Sequence, residues 1–375
     1  MAMTGSAPGD SPLTFGVEEE FLLADTRSRA AAPRAAEVIA DARPVLGPRV
    51  QGEFFASQLE IRTDPASTSA GLRAQLASGR QAVAAAAARH DCLLVASATA
   101  LLTRHPLPIT DAPRYREIAR HVGPLATGAD GGGELSGLHV HLGTFDRAEA
   151  LRLSHRLRPW LPVLQALMVN SPFADGRDRN CASWRALQYG QWPTVGPAPV
   201  LDERGYDALA DRLVTEGTVL DRRMIYWYAR PSEHLPTLEI RVADVNADLD
   251  ATLLFAVLLR GLASSLLYEA ERGAPAPDVT DAQLAAAHRQ AALHGLRGTG
   301  VDPSGTSRPM IQLLHLLLRR STPGLEAHGD LAEARSLLGA VLANGTGAER
   351  QRVFHRRHGS LHHVVDGLAA LTTRA

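Results

Sequence analysis

Four stretches of this chain read as strands whose same-face positions carry acids, imidazoles or guanidinium groups. They are Gly16-Val17-Glu18-Glu19-Glu20, Leu59-Glu60-Ile61-Arg62, Leu138-His139-Val140-His141 and Leu238-Glu239-Ile240-Arg241. Side chains two residues apart on a strand share a face. Glu18 and Glu20 therefore lie together, as do Glu60 and Arg62, His139 and His141, and Glu239 and Arg241. The pattern calls for a sheet that gathers these groups on one side and buries Leu59, Ile61, Leu238, Ile240 and Val242 on the other.

Each cluster has a plain alternative. Glu18 and Glu20 repel unless a cation sits between them; an exposed strand face would also tolerate them. Their neighbours Phe15, Val17, Phe21 and Leu22 favour a buried strand and a cation. Glu60 and Arg62 could form a surface ion pair. Glu53 precedes Glu60, and a bulge or loop between them could bring both into one site. His139 and His141 share the parallel geometry of metal-binding imidazoles, or form a hydrogen-bonded structural pair. Arg185, in Asn180–Tyr189, is a candidate clamp for phosphate or carboxylate, against the alternative of a helix-surface arginine. Arg230 closes an aromatic strand, Met224–Arg230, whose rings pack into the core on at least one face. Taken together, hard carboxylate ligands suit magnesium or manganese, and arginines beside them suit phosphate oxygens. That describes a metal–nucleotide site on a sheet.

Composition narrows the chemistry. The chain has no lysine, so all 39 basic residues are arginine. A P-loop lysine, a Schiff-base lysine and a lysine general base are excluded. The glycine-rich run GADGGGELSG, Gly128–Gly137, lacks the spacing of a phosphate loop and reads as a linker or lid. The net charge of −1 offers no basic field for nucleic acid or a membrane surface. No run of about 18 apolar residues suggests a membrane span. Cys92 and Cys181 are too few for a disulfide framework. A cytoplasmic protein is the expectation.

Residues 1–12 read as a disordered tail and 13–375 as a single catalytic domain. Strands are expected at Thr14–Leu23, Gly52–Thr63, Cys92–Thr99, Leu138–Gly143, Met224–Arg230 and Thr237–Asp244. Helices are expected at Ala35–Leu46, Ser67–Arg89, after Asp146, and at Tyr206–Glu216. The last third reads as helical: Leu253–Glu271, Ala282–Leu293, Ile311–Arg319, Leu331–Leu342, Glu349–His358 and Leu361–Leu371. A Pro-rich loop carries the chain through Pro106, Pro108 and Pro113. Irregular strand spacing without βαβ alternation favours an α+β fold with a mainly antiparallel sheet.

The segments FGVEEEFLL, QLEIRT, DAPRYR, SGLHVHLG, NSPFADGRD with ASWRA, QWPTVGP, ARPS, LEIRVADV and GTGAERQR occur in this order. In that order they resemble the carboxylate–amine ligase family related to bacterial glutamate–cysteine ligase of the second type, from about Thr14 to Leu371. The resemblance implies the curved, mainly antiparallel sheet funnel of the glutamine synthetase/guanido kinase type, flanked by helices. ATP would enter one end and the amino-acid substrates the other. It makes Glu18, Glu20, Glu53, Glu60, His139 and Glu239 the expected ligands of magnesium, with manganese as the alternative. It makes Arg241, Arg185 and Arg230 the expected catalytic groups for phosphate or substrate carboxylate, with Arg185 and Arg241 on ATP. His141 stands outside that shell. The implied reaction phosphorylates the carboxylate of glutamate or a similar acid. The amine of cysteine or another amino compound then displaces phosphate. A homodimer is the family's habit.

Some segments depart from the family pattern. SATALLTRHP stands where a Gly-Thr-His-Pro-type turn is usual. Ala287 and Leu293 replace an Asn and an Arg, and RNC precedes ASWRA in place of Thr/Ser-Gly-Tyr. These fall on the amino-acid pocket rather than the metal shell. Two other functions stay open: a metal-dependent hydrolase with zinc on His139 and His141, and a nucleotide-binding member that has lost catalysis.

Overall fold

The computed structural model describes residues 13–123 and 133–374. The expected tail, and residues 128–132 of the glycine-rich run, lie outside them.

β1 (Thr14–Asp25) is the central strand, followed by α1 (Ala35–Leu46). The single strand expected at Gly52–Thr63 is instead a hairpin, β2 (Val50–Gly52) and β3 (Gln58–Arg62), with Gln51 opposite Glu60. The turn closes through the Gln58 N–H on the Phe55 carbonyl at 2.9 Å. This hairpin answers the question left open by Glu53, which sits in its loop, close to Glu60 in space. α2 (Ser69–Ala88) follows, capped by Thr68, and then β4 (Cys92–Val95). The Pro-rich stretch ends in a helix that the sequence reading missed, α3 (Pro113–Val122), with proline at its first position.

β5 (Gly137–Gly143) leads to α4 (Arg147–Leu157), started by a reciprocal Asp146–Glu149 capping box. Pro159 breaks the helix, which resumes as α5 (Leu161–Leu167). A small hairpin, β6 (Phe173–Ala174) and β7 (Arg177–Asp178), precedes α6 (Trp184–Tyr189) and α7 (Glu203–Thr215). The strand expected at Met224–Arg230 shrinks to the edge strand β8 (Ala229–Pro231). Its first residues are diverted by a 3₁₀ turn whose Arg223 N–H is held by the Asp221 carboxylate. β9 (Thr237–Asp244) matches its expected bounds. The helical last third comprises α8 (Leu249–Glu271), α9 (Asp281–His294), α10 (Met310–Ala327), α11 (Leu331–Asn344), α12 (Gly347–His358) and α13 (Leu361–Thr372). An unexpected hairpin, β10 (Thr299–Val301) and β11 (Ser307–Pro309), enters α10.

The main sheet runs β2-β3-β1-β5-β9-β8, and every pairing in it is antiparallel. β4 extends it by pairing with the far end of β1. Phe15, Val17, Leu138, Val140, Leu142, Leu238 and Ile240 join residues of α4, α5, α8 and α10 in one core. Each such fully buried aliphatic side chain stabilises the fold by about 1.5–3 kcal/mol. α8 is apolar enough to cross a membrane by length and composition, but 83% of its apolar window is buried inside the fold. Glu19, which points away from Glu18 and Glu20, is buried on the core side and paired with Arg80 of α2. Arg80 also donates to the Ala247 and Asn246 carbonyls, at 3.0 and 2.9 Å. The core face thus carries one fully satisfied ion pair.

Candidate active site

The opposite face of the sheet holds the predicted residues in register. Glu20 stands directly across from Glu60, Glu18 from His139, His141 from Glu239, and Glu239 from Arg230. Directly opposed residues of an antiparallel pair bring their side chains within reach. Five strands therefore converge their polar groups on one face of the sheet.

Two triads of ligand-type atoms result, Glu18–His139–Glu239 and Glu20–Glu60–His139, with the atoms of each within 4.8 Å of one another. His139 belongs to both. Its Nδ1 lies 3.4 Å from Glu18 and 3.7 Å from Glu239, and its Nε2 lies 3.8 Å from Glu20. His141 belongs to neither: its Nδ1 contacts Thr237 Oγ1 at 2.9 Å, and its Nε2 is buried without a hydrogen-bond partner. Glu53 lines the same cleft from the β2–β3 loop but stands outside both triads.

The charges on this face are strongly unbalanced. Burial pushes the Glu60 carboxyl well above its usual range, and the charges of Glu18, Glu53 and Glu20 add to the shift. Burial, then Glu20 and Glu18, pushes Glu53 up to about 8. Burial also works to raise Glu18, but its contacts with His139 and His141 outweigh it and the carboxyl ends below its usual range. Glu239 is likewise lowered: burial opposes ionisation, and the Arg241 and Arg230 guanidinium groups overcome it. A crowd of acids that cannot all ionise without a cation is the condition a divalent ion relieves. His141 Nε2, 3.6 Å from Glu18, is a further imidazole nitrogen at the same place. The residues present fit magnesium, and the imidazole admits manganese.

The three arginines take different places. Arg241 bonds Glu239, reaches Tyr189 Oη at 3.4 Å, and has a buried Nε with no partner. It lines the cleft. Arg230 donates to Glu239 at 3.0 Å and to the carbonyls of Arg222 and Arg223, so it fixes Glu239 in place. Arg185 is buried rather than on a helix surface, and it also lines the cleft. A Cβ at Gly137 would collide with its guanidinium, so the close approach requires glycine there.

Other members of the site escaped the sequence reading. Gln51 donates to Glu60 at 2.8 Å across the hairpin. Asp244 accepts from the Asn170 N–H, Ser171 Oγ and Ser183 Oγ, and stands 3.7 Å from Arg185. Regular alternation from Glu239 would turn Asp244 to the core face. The β5–β9 register instead shifts between Leu138 and Val140. This bulge leaves both Val242 and Ala243 in the core and turns Asp244 back to the side of Glu239 and Arg241. Phe54, Tyr189, Trp192 and Tyr226 form an aromatic wall beside the acids. No spacing in the sequence marks that wall.

An antiparallel sheet with acids and arginines on its open face and helices behind is the fold of glutamine synthetase-like carboxylate–amine ligases. The solved glutamate–cysteine ligase of Francisella tularensis, in complex with AMP, shares the fold. Its TM-score is 0.72 at 11% identity, over 98% of this chain and 90% of that one. A bifunctional glutathione synthetase from Pasteurella multocida gives 0.72 at 16% identity, over 96% of this chain and 52% of that one. The chain belongs to glutamate–cysteine ligase family 2, whose profile matches residues 14–367. A relative from Salinispora arenicola, named provisionally as a glutamate–cysteine ligase 2, is 41% identical over 98% of this chain and 97% of its own length. The chain is an ATP-dependent carbon–nitrogen ligase acting on small molecules. The hydrolase reading of His139 and His141 is not supported.

Proposed function

We propose that this ligase phosphorylates the γ-carboxylate of glutamate, or of a similar acid, and passes the acyl group to the amine of cysteine or another amino compound. The observation that carries this reading is the register of opposed pairs, Glu60 with Glu20, Glu18 with His139 and His141 with Glu239, on one face of the sheet. Glu18, Glu20, Glu60, His139 and Glu239 would hold magnesium, with Glu53 beside them. Bound there, magnesium supplies positive charge to the phosphate oxygens of ATP. Arg241 and Arg185 orient the phosphates and stabilise the charge on the transferred group. The substrate carboxylate attacks the γ-phosphorus and ADP leaves. The amine then attacks the acyl carbon, an amide bond forms and phosphate departs. Arg230 acts through Glu239. The aromatic wall excludes water from the acyl phosphate. We place the reaction in the cytoplasm, where ATP is available.

The test is ADP release with ATP, magnesium, glutamate and a panel of amines. ADP that depends on both the acid and an amine, with the matching amide in the product, supports the reading. Amide or ester hydrolysis without ATP, or ATP binding with no turnover across the panel, overturns it.

A further inference from the structure

Another cavity, mostly apolar but with several polar groups in its lining, lies behind the wall of the reaction cleft. Gln58, Gly133 and Leu135 face the cleft, while their neighbours Ser57 and Glu134 face the cavity. The Gln58 amide pins the wall together, donating to the Leu135 carbonyl and to Ser136 Oγ, each at 2.8 Å. The cavity measures about 470 Å³, within the range of roughly 300–1,000 Å³ usual for small-molecule sites.

Its polar groups differ in how far they are already satisfied. Asp25 is spent on a local turn, accepting from the Arg27 and Ser28 N–H groups and from Ser28 Oγ. Arg34 pairs with Glu37 at 2.9 Å, and His105 lies 3.5 Å from Asp175. Glu134 is different. It is only 4% exposed; one carboxylate oxygen accepts from Ser57 Oγ, and Oε2 is buried with no hydrogen-bond partner among the described residues. Burial pushes this carboxyl up to about 7. Such an oxygen is costly to leave bare, and a cationic donor is what relieves it. Arg104 also lines the cavity and is exposed; it makes no salt bridge among the described residues, and its charge acts on Asp25 from a distance. A guanidinium there recognises a carboxylate.

We propose that this cavity binds a free amino acid, its ammonium inward against Glu134 Oε2 and its carboxylate outward at Arg104. The two ends call for opposite charges, so neither an amine nor an acid alone satisfies both. The site is separate from the ligand triads: Arg104 and His105, expected from the sequence beside the amino-acid pocket of the ligase, line this cavity and not the reaction cleft.

The test is calorimetric titration of the full-length protein, without ATP, with glycine, L-alanine and L-serine. Methylammonium and acetate serve as half-probes. At least one amino acid is expected to bind one-to-one, about tenfold or more tighter than either half-probe. Glu134→Gln, which keeps an acceptor for Ser57 but removes the anionic oxygen, should weaken binding by about tenfold or more. Arg104→Ala should do the same, and because Arg104 is exposed this variant keeps its fold. Arg241→Ala, across the wall in the reaction cleft, should bind as the unmodified protein does. Absence of binding by all three amino acids overturns the proposal. So does binding unchanged in Arg104→Ala, methylammonium as tight as the amino acids, or loss of binding in Arg241→Ala alone.

Discussion

Glu18 touches both histidines of β5, with His139 Nδ1 at 3.4 Å and His141 Nε2 at 3.6 Å. Like Glu239, it stays ionised on this face, because those contacts hold its carboxyl below the usual range. Glu18→Gln keeps the shape and removes the charge. We expect magnesium-dependent ATP turnover to fall by at least about 100-fold, while the melting temperature shifts little. Turnover within a few-fold of the unmodified enzyme would remove Glu18 from the metal shell. The contrasting residue is Glu19, one position on and facing the core. Its partner Arg80 is buried and bonded on every side. Arg80→Met should therefore destabilise the protein by about 3–5 kcal/mol, leaving an uncompensated buried acid. Chemical denaturation measures this, and a loss below about 1 kcal/mol would contradict the account. The division between Glu19 and its two neighbours was legible from strand alternation alone. The identity of each cross-strand partner was not, since register depends on how distant segments meet.

At the scale of elements, the strands that carry ligands were the easiest to read, because one buried face imposes period two on the sequence. The misread elements are those that tertiary contacts bend. Glu53-Phe54-Phe55 has strand-like composition, yet it turns back as the β2–β3 loop and delivers Glu53 and Phe54 to the cleft. Asp244 was invisible as a site residue because the bulge in β9 reverses its facing. That bulge has a consequence for catalysis. Asp244 holds Ser171 and Ser183, and through Ser183 the start of α6, which carries Arg185. Asp244→Ala should leave buried donors unpaired, costing about 1–3 kcal/mol, and let Arg185 drift from the cleft. The expected signature is a lower kcat with a raised KM for ATP or the acid substrate. A stability loss with unchanged kinetic constants would make Asp244 purely structural.

For the molecule as a whole, the same face that promises catalysis is a burden when no cation is bound. Glu53 is pushed up to about 8 and Glu60 is raised further than an ordinary glutamate. In the unfolded chain both ionise near the ordinary value of about 4.3. A carboxyl whose folded value is raised binds its proton more tightly in the native state. Its favourable contribution is complete below the unfolded value and is lost as pH rises through the folded one. These two acids should therefore draw stability down between about pH 4.5 and pH 8. They are opposed below about pH 6.5 by the buried His288, whose lowered value of about 3 adds stability as pH rises, and does so equally in chelator and in magnesium. Magnesium binds the ionised acids of the native state only, adding roughly 2.7 kcal/mol at a hundredfold excess over its dissociation constant. Its benefit should grow with pH, because the acids it needs must first give up their protons. Melting temperatures taken across that range, in chelator and in magnesium, test this directly. The two curves should meet near the acid end and diverge toward pH 8. The buried Glu134 titrates in both conditions and drops out of the difference. Parallel curves would mean that these acids are not the ones magnesium reaches. Glu60→Gln separates the two effects, because it should flatten the chelator curve while shrinking the gain from magnesium.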